Sequence, residues 1–318
     1  MRCVLVGNYG TGNLGDEALK EYFLSRFLEI EWTVLSAVPT APNEVPRFPC
    51  GLRSLLIAPW WRSLRALRRS DAVVFGGGSL FTDAESMWAC VLWWWHAVIA
   101  RIFGKPVFLA FQGVGPFRTR LGKWCAKSAV TAADFVSVRD TQSAERVGDW
   151  VKTGVRVIQS FDPVFGIFTG EESLPSGNTL AVIPRMNSGD DFRTLVMDRV
   201  KRDTPQSVRI ISMQPDSSQE QRACLCLTGN IGQAAQIIPV RSLSELSDSL
   251  RGCSAVITAR YHGGLAAIAL SIPMIVVAQH PGDKLDLLMR AQELGAQELR
   301  SRLSEGEREL QKALNMVK

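Results

Sequence analysis

Short apolar runs rich in β-branched residues alternate with helical patterns along almost the whole chain, the signature of parallel sheets built from βα units. In the first half, strands are predicted at 2–6, 31–36, 71–76, 106–111, 134–138 and 155–159. Segments with helical spacing lie between them, near 15–29, 62–69, 85–103, 119–132 and 141–147. From 166 to 178 the sequence GIFTGEESLPSGN has no period and is rich in Gly, Ser, Glu and Pro, which reads as a linker. The alternation then restarts. Strands are predicted near 179–184, 207–213, 235–240, 254–258 and 273–278, helices near 190–203, 217–227, 242–251 and 263–270, and a charged helical tail from 283 to 316. The pattern predicts an α/β chain of two Rossmann-like domains, 1–165 and 179–318, facing a cleft and joined by 166–178. In such sheets ligands bind at the carboxyl ends of the strands.

The 318 residues are 46% apolar, with a mean hydropathy of +0.05, as in a folded chain rather than a disordered one. The net charge of +5 is uneven: residues 1–165 hold 19 Lys/Arg against 14 Asp/Glu, while 166–318 are balanced at 17 each. A basic first half suits an anionic ligand or an anionic membrane surface, and falls short of the clustered basicity of a nucleic-acid binder. The seven cysteines are scattered, with only Cys224 and Cys226 close and no second pair to complete a zinc set. No signal peptide precedes the first strand, so free thiols in a reducing cytoplasm are expected.

Two segments bear on membranes. Met87 to Phe103, MWACVLWWWHAVIARIF, is 17 residues long and carries His96 and Arg101. A bilayer span needs about 20 apolar residues, so this reads as a helix buried between the sheet and its neighbours, with His96 structural. A surface helix dipping into a membrane is the alternative its tryptophans allow. The basic amphipathic stretch Trp60–Arg69 fits either a solvated helix face or a contact with anionic lipid through Trp60, Trp61 and Arg62.

Candidate chemistry gathers at the predicted strand ends. The first strand runs into Gly7-Asn-Tyr-Gly-Thr-Gly-Asn-Leu-Gly15 and then Asp16-Glu17. Gly10-x-Gly12-x-x-Gly15 matches a dinucleotide fingerprint. Acidic residues opening the next helix would repel a pyrophosphate, however, and the second strand ends without the carboxylate that would hold a ribose. A ligand loop for something other than NAD is expected. Further junctions are Gly76-Gly77-Gly78-Ser79 through Asp83, Gln112 through Pro116, Arg139-Asp140, and Asp162-Pro163. In the second half, Arg185 ends the first strand, and Arg260-Tyr-His262-Gly-Gly opens an apolar helix. There a histidine beside an arginine suits a general acid or an anion clamp, with a pKa lowered by the nearby positive charges. His280 and Lys284 follow the last strand. No nucleophile elbow, P-loop lysine or metal-ligand cluster is present, Asp83 and Asp162 being lone carboxylates, so no metal or cofactor is expected.

These loops, in this order, resemble the polysaccharide pyruvyl transferase family, including its CsaB-type members. The resemblance rests on Gly12-Asn13-Leu-Gly-Asp16-Glu17, Phe75 through Asp83, Gln112 through Pro116, Ser137-Val-Arg139-Asp140, Asp162-Pro163 and Arg260-Tyr-His262. It implies a GT-B-like fold and transfer of the enolpyruvyl unit of phosphoenolpyruvate onto two hydroxyls of a cell-envelope sugar, giving a pyruvate ketal and phosphate. It further implies His262, Arg260 and Asp16 as catalytic groups. Arg139, Arg185, His280 and Lys284 would hold the donor, and Asn13, Gly77, Gly78, Ser79, Asp83 and Gln112 would face the acceptor, on the first domain. The chain departs from the family where an aromatic-acidic-proline-lysine run is usual: it has Gln279-His-Pro-Gly-Asp-Lys284, so Lys284 is shifted. Gln214 and Asp216, in the 214–222 segment, receive no role. The same architecture also admits a glycosyltransferase using a nucleotide sugar, or a membrane-docked scaffold that would tolerate loss of His262.

Overall fold

A computed structural model describes the chain except for residues 51–55, 57–58, 85, 169–176, 279–284 and 318. Most of the 166–178 linker therefore lies outside the described residues. The first sheet is built from β1 (Arg2–Val6), β2 (Glu31–Ser36), β3 (Glu44–Pro46), β4 (Ala72–Phe81), β5 (Val107–Val114), β6 (Phe135–Val138) and β7 (Val157–Gln159). Its strands lie in the order β3-β2-β1-β4-β5-β6-β7, all parallel. The order reverses between β1 and β4, the kind of point at which open parallel sheets leave a crevice.

The helices are α1 (Leu14–Arg26), α2 (Trp61–Arg69), α3 (Met87–Ile102), α4 (Arg120–Ala132) and α5 (Thr141–Val147). Alternation along the strands decides which face each helix covers. Val4, Val6, Val73, Phe75, Val107 and Leu109 share one core with Leu67 of α2, Trp93, Ala97 and Ala100 of α3, and Ala126, Ala129 and Val130 of α4. Thus α2, α3 and α4 form one layer. On the opposite face, Phe23 of α1 meets the Phe111 ring at 6.0 Å.

The second sheet has β8 (Thr179–Ile183), β9 (Ser207–Ser212), β10 (Ala235–Pro239), β11 (Ala255–Thr258) and β12 (Met274–Val276), parallel in the order β10-β9-β8-β11-β12. Its helices are α6 (Asp190–Asp203), α7 (Ser218–Ile231), α8 (Leu243–Leu250) and α9 (Tyr261–Ala269). Here the order reverses between β8 and β11. The last helix, α10 (Asp286–Asn315), is broken at Gly295, whose φ is 78°.

Two features differ from expectation. The described residues form two compact units, Met1–Pro163 with Arg300–Lys318, and Val164–Leu299. The end of the tail, expected with the second domain, is thus part of the first. Glu307 accepts hydrogen bonds from the Tyr22 hydroxyl and from Arg26 at 2.8 Å, and Ser160 Oγ donates to Arg302 O at 3.1 Å. Beneath them Gly306 lies so close to Ser160 that a Cβ would sit 2.2 Å from its hydroxyl. The second difference is that Gly76–Ser79 is not a loop. β4 runs on through it to Phe81, with a register shift against β5 between Gly78 and Phe81. Gly77 and Gly78 have φ of 78° and 83°, a backbone other residues adopt at a cost.

His96 has the structural role expected of it. It is 1% exposed; its Nδ1 donates to Leu92 O at 2.7 Å, and its Nε2 accepts from the Phe48 backbone N–H at 3.2 Å. Burial holds its pKa down at about 4. The unfolded imidazole takes up a proton near pH 6.5 and the folded one does not, so stability is intact above that pH and declines below it. Between pH 7 and pH 5 the chain is expected to lose about 2 kcal/mol from this group, measured by urea unfolding, and His96→Gln should flatten that segment of the profile.

Candidate functional site

At the β1/β4 end of the first sheet the organising group is Tyr9. Its ring is buried and its hydroxyl donates to Gly76 O at 2.9 Å, tying the loop after β1 to β4. A Cβ at Gly7 would lie 2.3 Å from the Tyr9 ring, and one at Gly76 would lie 2.4 Å from its hydroxyl, so both glycines make room for this side chain. Burial, with Asp16 and Glu17 nearby, pushes the Tyr9 phenol well above its ordinary pKa. Arg47 straps the loop from outside, its Nη2 donating to Tyr9 O at 2.9 Å and Asn8 Oδ1 at 3.2 Å, with its guanidinium 5.0 Å from the Trp93 ring centroid. Arg47 escaped the sequence reading because it lies outside every glycine motif. Glu17 accepts from Gly10 N at 2.7 Å, so this carboxylate braces the loop.

Asn13 is the N-cap of α1, its Oδ1 accepting from Gly15 N at 3.0 Å. Asp16, in the first turn, accepts from Asn8 Nδ2 at 2.9 Å, and a Cβ at Gly78 would lie 3.6 Å from its Oδ1. Asp16 and Gly78 are therefore neighbours across the β1/β4 crevice.

The other candidates of this unit are built into its frame. Asp83 Oδ1 accepts from Arg118 N at 2.6 Å, and its Oδ2 accepts from Thr119 N at 2.8 Å and Thr119 Oγ1 at 2.5 Å. Thr119 is in turn the N-cap of α4. Burial alone would raise the Asp83 pKa; these hydrogen bonds hold it below the usual range. Gln112 is fully buried, and its Nε2 donates to Phe75 O and Ala110 O at 2.9 and 3.0 Å. Arg139 pairs with Asp162 at 2.6 Å, with side-chain exposures of 5% and 1%, and donates from Nη2 to Ser79 Oγ at 2.6 Å. Asp83, Gln112, Ser79 and Arg139, expected from sequence to contact ligands, thus also make bonds within the unit: Gln112 ties β5 to β4, Asp83 joins the segments after β4 and β5, and Arg139 joins Ser79 to Asp162.

In the second unit the β8/β11 crevice collects cationic groups. Arg260 is the N-cap of α9. Its Nη2 donates to Gln214 Oε1 at 2.9 Å and to Glu220 Oε2, and its Nε to Pro184 O at 3.4 Å. Gln214, Pro184 and Arg260 follow β9, β8 and β11, which are neighbours in the sheet. Three of the five guanidinium N–H groups are engaged there. The two on Nη1 have no partner among the described residues. Burial first, and the neighbouring Arg185 second, push Arg260 down to about 10, so Arg260 stays charged at neutral pH in the field of Arg185.

In the second unit, Glu220 is a residue that sequence reasoning missed. Ser217-x-x-Glu220 has the form of a capping box, and Ser217 Oγ does accept from Glu220 N, at 3.4 Å. The Glu220 carboxylate turns elsewhere. Fully buried, it accepts from Ser212 Oγ at 3.0 Å and Gln214 N at 2.7 Å and faces Arg260. Gln214 thereby acquires the role it lacked in the sequence.

His262 is the second residue of α9, partly exposed, with its ring edge-on to Tyr261 at 5.4 Å. Gly263 brings this turn against the strands: a Cβ there would lie 2.6 Å from Ile183 Cδ1 and 2.8 Å from Thr258 Oγ1. Arg185, Arg260 and His262 thus share one sheet edge. His280 and Lys284 lie outside the described residues. Among the described residues no group of three or more His, Cys, Asp or Glu is placed to hold a metal ion.

Arg139→Met, which takes the guanidinium away from buried Asp162, is expected to cost about 3–5 kcal/mol of stability in urea unfolding of the free protein, whereas an arginine that only contacted a ligand would leave that midpoint in place.

Comparison with known proteins follows the same lines. No curated protein matches the sequence. Among solved structures, Anabaena Alr3699/HepE in complex with UDP and glucose superposes with a TM-score of 0.61 at 12% identity, covering 99% of this chain and 100% of that one. A glycosyltransferase from Rickettsia africae gives 0.60 at 12% identity, covering 99% and 98%. A structure described as a putative UDP-N-acetylglucosamine 2-epimerase from Listeria monocytogenes gives 0.58 at 12% identity, covering 98% and 95%. At this identity the likeness shows the fold, which is of the GT-B type. The model of the polysaccharide pyruvyl transferase family matches residues 13–281. That span runs from the N-cap of α1 past His262, and the chain belongs to the polysaccharide pyruvyl transferase family.

Proposed function

We propose that the chain transfers the enolpyruvyl unit of phosphoenolpyruvate onto two hydroxyls of a saccharide, forming a cyclic pyruvate ketal and releasing phosphate. The observation that carries this reading is the grouping of Arg185, Arg260 and His262 at the β8/β11 crevice. Two charged guanidinium groups there suit a small donor bearing a phosphate and a carboxylate, and beside them stands a group able to give a proton.

The steps follow from the donor's chemistry. His262 protonates the methylene carbon, and positive charge develops on the carbon that carries the phosphate. One acceptor hydroxyl adds there, and its proton returns to the imidazole. The carbon–oxygen bond to phosphate then breaks as the second hydroxyl closes the ring, and the departing phosphate takes the second proton. Arg185 and the free Nη1 edge of Arg260 receive the anionic groups. Because Glu220 and Gln214 already hold Arg260 in place, little reorganisation is needed as charge moves. On the first unit, Asp16 beside Gly78 is the carboxylate proposed to orient an acceptor hydroxyl, with Gly77 and Gly78 baring their backbone toward the sugar.

A second reading, sugar transfer from a nucleotide sugar, is favoured by one observation: the Anabaena structure of the same fold was solved with UDP and glucose. The two separate cleanly in one assay. Phosphate release from phosphoenolpyruvate, measured across a panel of sugar acceptors, should be acceptor-dependent. His262→Ala should lower the rate by about 100-fold or more with the fold intact. Arg185→Ala should act mainly through a raised KM for phosphoenolpyruvate. Thermal protection by a UDP-sugar, with none by phosphoenolpyruvate, would favour the second reading.

A further inference from the structure

Helix α3 is apolar on two opposite sides, and the sheet covers only one of them. Cys90, Trp93, Ala97 and Ala100 are buried on the core side. Trp88, Val91, Val98 and Ile102 recur at three-, seven- and four-residue spacing on the other, with Trp88 68% and Ile102 71% exposed. Helix α4 sets Trp124, 54% exposed, and exposed Leu121 beside them. Trp94 links the two helices, its ring 5.2 Å from that of Trp124 and its Nε1 donating to Ser128 Oγ at 3.1 Å. Between them runs a groove of about 330 Å³ lined by Trp94, Val98, Arg101, Ile102, Ser128 and Ala132. Helix α2, in the same layer, adds the exposed Trp61.

The rim of this face carries one sign of charge. Arg62, Arg65, Arg68 and Arg69 on α2, and Arg120, Lys123 and Lys127 on α4, are all exposed. The sequence holds no Asp or Glu from Val45 to Ser70, nor from Ser86 to Ala133. Arg101 is paired with Asp134, and Arg65 lies over the Trp61 ring; Arg120, Lys123 and Lys127 form no ion pair among the described residues.

We infer that the outer face of α2, α3 and α4 docks on an anionic bilayer surface. Tryptophan favours the boundary between headgroups and acyl chains, and lysine and arginine stems lie along apolar surface while their charges reach the phosphates. No helix among the described residues is long and apolar enough to cross a membrane, so the contact is with the surface. A second copy of the chain is a poor occupant, because a two-fold contact would set these basic side chains against one another. Docking goes beyond the reaction proposed above and does not depend on it.

Co-sedimentation of the full chain with vesicles tests the inference. Vesicles of phosphatidylcholine with about one third phosphatidylglycerol should bind the protein, and phosphatidylcholine alone should bind it weakly, because each basic residue adds about fivefold through the anionic surface. Molar salt, which shortens the screening length to about 3 Å, should release it. Arg120→Glu with Lys123→Glu and Lys127→Glu should reduce binding by more than about 100-fold, and Trp88→Ser with Trp124→Ser should weaken binding while leaving the melting temperature and phosphate release unchanged. Equal binding to both vesicle types, binding to neither, or sedimentation of the charge-reversed variant like the wild type would overturn the inference. So would RNA binding that is lost with the same basic residues while vesicles go unbound. A dimer in light scattering that the tryptophan variant dissolves would assign the face to chain–chain contact instead.

Discussion

A guanidinium taken out of water at the end of a parallel strand has to be answered by oxygen acceptors, and at Arg139 and Arg260 the acceptor is a carboxylate. In the first unit Asp162, after β7, answers Arg139, after β6, at 2.6 Å. In the second, Glu220 at the start of α7 answers Arg260 at the start of α9. Such pairs contribute little net stability, because desolvation consumes most of the attraction, yet losing one partner is expensive. Their effect is to hold the loops around them in one arrangement. Ser79 is drawn to Arg139, and Gln214 to Arg260, by the same two pairs.

The two pairs end differently. Arg139 is enclosed by its partners and serves the frame. Arg260 is anchored on one side only, with Arg185 near enough to repel it. In the proposed reaction these guanidinium groups beside His262 receive the donor's anionic groups, and Glu220 holds Arg260 in place for them. The first unit offers the contrast: at its β1/β4 crevice Tyr9, Arg47 and Glu17 brace a glycine loop whose polar edge carries Asp16. The proposed reaction assigns the donor to the edge with Arg260 and the acceptor to the edge with Asp16.

Much of the fold was legible in the order of residues. The restart of the strand–helix alternation after 166–178 marked two α/β halves, and helices 141–147 and 190–203 lie where their periodicity put them. The three-residue edge strand Glu44–Pro46 escaped because it is too short to show a period. Gly76–Ser79 read as a loop because glycine weakens a strand pattern, while pairing with β5 keeps it extended. In the Trp-rich segment the apolar run hid a two-sided helix, since periodicity cannot say which apolar stripe the sheet will cover.

The sequence by itself determined which polar and charged residues fall at strand ends, because βα periodicity places the ends and residue type names the group. Arg185, Arg260 and His262 were visible in this way, and they share one sheet edge. Only the tertiary structure decided which side chains are spent on the protein itself. Asn13 became a helix cap, Asp83 a clamp on the start of α4, Gln112 a buried tie between β4 and β5, and Glu220 the partner of Arg260. The physical reason is that a polar group's role depends on the partners within hydrogen-bond reach. For Asp83, Gln112 and Glu220 those partners lie about 35 to 40 residues away along the chain, where no local pattern records them.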